Sequence, residues 1–94
     1  MQIRWSPAAF EDLLRIVEYI RQENLSTAER IAKTIYESAG SLTSFPYRGR
    51  TDRVEGTREL PLPALPFVVV YRVAGDAVEI ANVIHSAQKW PPKN

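Results

Sequence analysis

The sequence predicts an α+β domain: an N-terminal strand, an antiparallel two-helix hairpin, and a mostly antiparallel sheet with the hairpin on one face, in the order β-α-α-β-β-β. Three observations predict it. Two stretches with apolar residues at helical spacing fill the first half, three stretches of strand type fill the second, and turn signals separate them. With 94 residues, the chain reads as a single domain spanning 1–94, with a modest core.

Gln2 to Trp5 reads as a short strand. Ser6 is a good N-cap, and Pro7 falls at the first helical position, where a missing N–H costs nothing. Leu13, Ile16, Val17 and Ile20 then recur at helical spacing, with Glu11, Arg15, Glu18 and Arg21 between them. Glu23-Asn24-Leu25 makes a turn, and Ser26-Thr27-Ala28-Glu29 has the pattern of a capping box that opens a second helix. That helix carries Ala28, Ile31, Ala32, Ile35, Ala39 and Leu42 on one face, and the short turn makes the pair antiparallel. Phe45-Pro46-Tyr47-Arg48-Gly49-Arg50 ends the helical region, and Thr51 to Gly56 reads as a polar loop. Three strands follow: Thr57 to Leu62, Phe67 to Val73, and Ala77 to His85 after the tight-turn pair Gly75-Asp76. Ser86 to Asn94 has no clear periodicity.

The middle strand is apolar on both faces: Val68 and Val70 alternate with Phe67, Val69, Tyr71 and Val73. Two helices cover one face. The other needs the tail, with Trp90 as a plug, or another chain, unless the valines simply stand exposed.

Composition narrows the chemistry. There are no cysteines and one histidine, which excludes disulfides, thiolate metal sites and multi-histidine sites. A carboxylate-only metal site stays open on composition, but the acids are scattered without a ligand-like spacing; no metal and no cofactor are expected. No apolar run approaches the ~20 residues that span a bilayer, and no signal peptide is visible, so a cytoplasmic protein without a membrane partner is expected. The net charge of +1 is small for a nucleic-acid binder.

His85 is the one side chain that ordinarily titrates near neutrality. Its neighbour Ser86 would point to the opposite face of a strand, so a serine triad does not form there. A lone histidine at a strand end is ordinarily structural or exposed. Arg48, Arg50, Arg53 and Arg58 make one region locally basic, partly offset by Asp52 and Glu55. Arg58 could grip a phosphate or acidic partner in a bidentate fork, or pair with Glu59 or Glu79; Arg72 has the same ambiguity. Metal-free RNA cleavage needs a base, an acid and cations on the phosphorane. His85, Arg58, Arg50, Tyr71 and Lys89 could supply these if they converged.

Several segments together resemble the RelE/ParE superfamily of bacterial toxins. They are Trp5-Ser6-Pro7-Ala8, Asp12-Leu13, Tyr19-Ile20, Pro46 through Gly49-Arg50, Thr57-Arg58-Glu59-Leu60, Pro66 through Val73, Val83-Ile84-His85 and Trp90-Pro91. The resemblance covers nearly the whole chain and leans to the ParE-like branch. It implies the toxin of a type II toxin–antitoxin system, neutralised by a cognate antitoxin and acting by binding and inhibiting DNA gyrase. A RelE-like ribosome-dependent mRNA endonuclease is the alternative, and an inactive antitoxin-binding member a second one. The nuclease branch fits less well. RelE carries lysines and an arginine in and just before the segment that here reads Thr57 to Pro63, yet Leu62 and Pro63 supply no cation. RelE also uses a C-terminal tyrosine, and none follows Tyr71; of the histidine-tyrosine pair of YoeB-like nucleases, His85-Ser86 keeps half.

The resemblance makes Arg50, Arg58, His85, Lys89 and Trp90 the target-binding candidates, and Arg50, Arg58 and His85 the set a nuclease would use. Leu14, Val68, Val70 and Arg72 are the antitoxin-binding candidates. No small-molecule ligand is expected.

Overall fold

The computed structural model describes residues 1–51 and 54–87. Strand β1 (Gln2–Trp5) leads into helix α1 (Pro7–Arg21), then helix α2 (Leu25–Gly40) and a single 3-10 turn (Ser41–Thr43). Strands β2 (Arg50–Thr51), β3 (Arg58–Pro61), β4 (Phe67–Ala74) and β5 (Ala77–His85) follow. They form one five-stranded sheet in the order β1-β5-β4-β3-β2. All pairings are antiparallel except β1 with β5, which is parallel.

The expected α+β architecture is present, with two differences. Arg50 and Thr51 leave the region expected to be loop and pair with Glu59 and Arg58, adding a short edge strand. The second helix is capped by Asn24, not by the Ser26/Glu29 box: the Asn24 side chain accepts the Thr27 N–H at 3.0 Å, and helix begins at Leu25. Ser26 lies inside the helix, and its hydroxyl donates to Asn24 Oδ1. Asparagine is as good a cap as serine, and it stands two residues earlier in extended backbone.

Both helices cover one sheet face. Ala9, Leu13, Ile16 and Ile20 of α1 and Ile31, Ile35 and Ala39 of α2 meet Leu60, Val69, Tyr71, Val78, Ile80 and Val83 of the sheet. Each large apolar side chain so enclosed contributes about 1.5–3 kcal/mol relative to exposure. Gly75 adopts φ +61° at the first central position of the two-residue β4–β5 turn, a conformation open to glycine and costly for other residues.

Strand β5 is bulged. Ile80 pairs with Tyr71 and Asn82 with Val70, leaving Ala81 as an extra residue. The bulge decides which side chains reach the core. Val78 and Ile80 point inward, and strict alternation would turn Val83 outward; with Ala81 inserted, Val83 faces inward opposite Val69. Three bonds from the start of the chain fix this kink. The Ser6 hydroxyl donates to the Ala81 carbonyl at 2.9 Å, and one carboxylate oxygen of Asp12 accepts both the Asn82 side-chain N–H and the Val83 backbone N–H at 2.9 Å. Ser6 is also the α1 N-cap, accepting from Ala9 N–H, with Pro7 opening the helix as expected. The Ser6 and Asp12 that contribute to the family resemblance therefore dock α1 onto a bulged strand.

Candidate functional site

Across the sheet from the helices, Val68 pairs with Pro61 and Ile84, and Val70 with Glu59 and Asn82. Both valines are buried, at 5% and 0% exposure. The two-faced apolar pattern of β4 is thus enclosed within the chain, and neither valine offers surface to a partner. Exposed apolar surface lies elsewhere. Phe10 and Leu14, one turn apart on α1, are 53% and 52% exposed, and Tyr19, Leu25, Tyr36, Phe45 and Tyr47 are more exposed still. Leu14 is on the surface as an antitoxin contact requires; Phe10, its partner at i−4, escaped sequence reasoning. The signal was present: Phe10, Leu14 and Val17 form a second apolar row beside the core stripe.

Arg72 is solvent-facing, with its Nε 3.9 Å from Glu79 Oε1. In register, Arg4, Glu79 and Arg72 stand side by side across β1, β5 and β4. They border a recess of about 350 Å³ that also takes in Trp5 and Ser6.

The candidate cations are arranged differently from one another. Arg50 is exposed on edge strand β2 and makes a 3.0 Å ion pair with Glu59. Arg58 opposes Tyr71, on the helix-facing side of the register. Its Nη1 donates to the carbonyls of Gly49 at 2.8 Å and Tyr47 at 3.3 Å, and its guanidinium carbon lies 5.0 Å from the centre of the Tyr47 ring. Arg58 therefore clamps the segment from Phe45 to Arg50. Tyr71 holds the same segment from below: its buried hydroxyl accepts the Gly49 N–H at 2.8 Å. Burial pushes that hydroxyl above the ordinary tyrosine range, against the Gly49 hydrogen bond and the nearby charges of Arg58 and Arg48.

His85 stands at the far end of β4, opposite Phe67, whose ring it meets edge-on at 5.7 Å. Its Nδ1 accepts the Ala87 N–H at 3.1 Å, so the neutral ring carries its proton on Nε2. Arg58 and His85 flank β4 four positions apart in register, at Tyr71 and Phe67. At ~3.3 Å per residue and two strand spacings of ~4.8 Å, their backbones are about 16 Å apart. Arg50 pairs across from Glu59, one register position beyond Arg58 and so on the other face. The structure does not bring Arg50, Arg58 and His85 to one point. Lys89 and Trp90, including the plug expected of Trp90, lie outside the described residues. Among the described residues no cluster of three or more histidines and acids could hold a metal ion, and no helix is long and apolar enough to cross a membrane.

Known proteins are similar to this chain in sequence and fold. A Sinorhizobium fredii protein described as a toxin candidate, Y4kP, is 37% identical over 96% of this chain and 93% of its own length. Toxin RelE2 of Caulobacter vibrioides is 33% identical over 93% of this chain and 97% of its own. A solved chain from the chromosomal ParDE toxin–antitoxin system of P. aeruginosa superposes with a TM-score of 0.82 at 26% identity, covering 90% of this chain and 95% of that one. The sequence pattern of the ParE toxins of type II toxin–antitoxin systems matches residues 3–90. With the hairpin, the sheet and the Ser6 and Asp12 docking points all in place, the chain belongs to the ParE toxin family of type II toxin–antitoxin systems.

Proposed function

We propose that this toxin acts by binding and inhibiting DNA gyrase rather than by cutting RNA. The observation that carries this reading is the dispersal of the nuclease candidates. A general base, a general acid and phosphate-binding cations must meet within hydrogen-bond reach of one phosphodiester, whereas the Arg58 side chain is turned onto backbone carbonyls and its backbone lies about 16 Å from that of His85. The ParE family match and the ParDE structural neighbour favour the same branch. The relative named RelE2 keeps the endonuclease as the second reading.

A toxin of this class has an antitoxin partner. Its seat is the exposed apolar row of α1 at Phe10 and Leu14; Arg72, on the opposite sheet face, lies outside that row.

A supercoiling assay with purified gyrase, run beside a primer-extension map of mRNA ends in expressing cells, separates the targets. Inhibition of supercoiling with unchanged mRNA ends is expected, and His85→Ala retains toxicity. New mRNA ends together with a 10²–10⁴-fold loss in a folded His85→Ala protein, the scale of a missing acid–base group, would establish the nuclease instead.

A further inference from the structure

The stretch from Ser41 to Thr51 holds two arginines, two exposed aromatic rings and no acid. Phe45 and Tyr47 are 65% and 63% exposed. Two large rings exposed within three residues form a local apolar patch of the kind that marks interaction sites. This segment is also held from several sides. The Phe45 N–H reaches the Ser41 carbonyl, the Arg48 N–H reaches the Phe45 carbonyl, and Arg48 Nη1 donates to the Ser41 hydroxyl at 3.0 Å. The Gly49 N–H is tied to Tyr71, and Arg58 fastens the Tyr47 and Gly49 carbonyls while lying against the Tyr47 ring. Ser44 through Arg48 border an open groove of about 660 Å³.

We infer that this fixed aromatic loop is the surface that docks the toxin's target, and that it takes a protein surface presenting an apolar side chain among carboxylates. The inference rests on the reading that the toxin acts by binding a protein. The rings supply the apolar contact. They pay little ordering entropy because the backbone beneath them is already bonded, which is the condition under which exposed tyrosine and arginine carry binding energy. Charge selects the partner. Arg50 has Glu59, but Arg48 is bonded to a neutral hydroxyl and Arg58 to neutral carbonyls, so the loop carries the positive charge of two arginines that make no ion pair with a described carboxylate. An acidic surface offsets it. Arginines and rings also form stacking platforms for single-stranded nucleic acid, but the whole chain's net charge of +1 favours protein. The loop and the Phe10/Leu14 row belong to different elements, so target and antitoxin engage separate residues.

The test compares wild type with Phe45→Ser and Arg48→Glu in growth arrest on expression, in gyrase supercoiling, and in co-purification with the antitoxin, with thermal melts for folding. Phe45→Ser is the primary variant because its ring takes no part in the clamp. Both variants are expected to melt as wild type and bind antitoxin, and to need about 10- to 30-fold more protein for half-inhibition. Folded variants as toxic as wild type overturn the inference. So does folded Phe45→Ser that no longer binds antitoxin, because the surfaces are then not separate. Wild-type growth arrest without gyrase inhibition sinks the gyrase reading alone, and the loop is then judged on growth arrest. A wild type that arrests nothing overturns both. If a short fluorescein-labelled single-stranded DNA binds wild type and not Phe45→Ser, while toxicity is unchanged, the loop is a nucleic-acid platform and the inference falls.

Discussion

The Tyr71 hydroxyl accepts the Gly49 N–H at 2.8 Å, joining the centre of β4 to the aromatic loop. The approach leaves no room for a side chain. A Cβ on Gly49 would lie 2.7 Å from both Cε1 and the hydroxyl of Tyr71 and 2.8 Å from the Glu59 carbonyl oxygen. One of these obstacles is backbone of a paired strand and another is a fully buried ring, so neither yields cheaply.

Gly49→Ala is therefore expected to destabilise the domain by about 2–3 kcal/mol, in the range of core overpacking. For a chain of this size that lowers Tm by roughly 10–20 °C. Urea unfolding measures it, and an unchanged midpoint would mean that the loop lifts off Tyr71 at no cost.

Tyr71→Phe keeps the ring and deletes the acceptor, leaving a buried N–H unpaired at about 1–3 kcal/mol. The same residue gives the wild type an alkaline signature. Burial raises the folded-state pKa above the ordinary value of 10.0. Between about pH 10 and that higher value the unfolded chain has lost a proton that the folded chain keeps, so this stabilisation is complete below pH 10 and lost as pH climbs through the folded-state value. Subtracting the Tyr71→Phe stability profile from the wild-type profile should isolate that fall; parallel profiles would remove Tyr71 as its source.

Asp12 holds the β5 bulge with one carboxylate oxygen that accepts from Asn82 and Val83. Asp12→Ala strands the Val83 N–H and should cost about 2–4 kcal/mol, while Asp12→Asn, which keeps an acceptor, should cost less than half of that. A double-mutant cycle with Asn82→Ala should show coupling of 0.5 kcal/mol or more. Additive changes would place the stabilisation outside this pair.

The start of α2 offers a contrast between neighbouring residues. Asn24→Ala should cost about 1 kcal/mol, the usual worth of an N-cap. Glu29→Ala should change stability by less than about 0.5 kcal/mol, because the box in which it would serve does not form. The reverse order in thermal melts would restore the box.

The hairpin and the long strands were legible because their signals are local. Ser6-Pro7 caps and opens α1, the apolar spacing of α2 marks its buried face, and Gly75-Asp76 sets the β4–β5 turn. What sequence missed depends on distant partners. Arg50-Thr51 becomes a strand only because Arg58-Glu59 lies beside it. The Ala81 bulge has no glycine to announce it and is imposed by Ser6 and Asp12 across 75 and about 70 residues. The site was the least legible part. Arg58 has the residue type and the place of a phosphate-binding group, yet its role is set by two carbonyls and a tyrosine ring that no spacing rule brings to it. Val68 and Val70 looked available because two helices cannot cover two faces, and they are buried nonetheless.

Among the described strands, β1 pairs with β5 alone, and in parallel. Of the described elements, the earliest to be made thus finds its partner last, after the hairpin and the three strands between have been made. Pairings of such long sequence separation are slow to form, because loop closure must precede any gain. Until β5 is made, the Asp12 carboxylate lacks the Asn82 and Val83 donors that tie α1 to the sheet, and Gln2–Trp5 lacks its only paired strand among the described residues. Synthesis and consolidation therefore run in opposite directions along this chain, and a nascent toxin stays without its finished sheet until translation has passed β5.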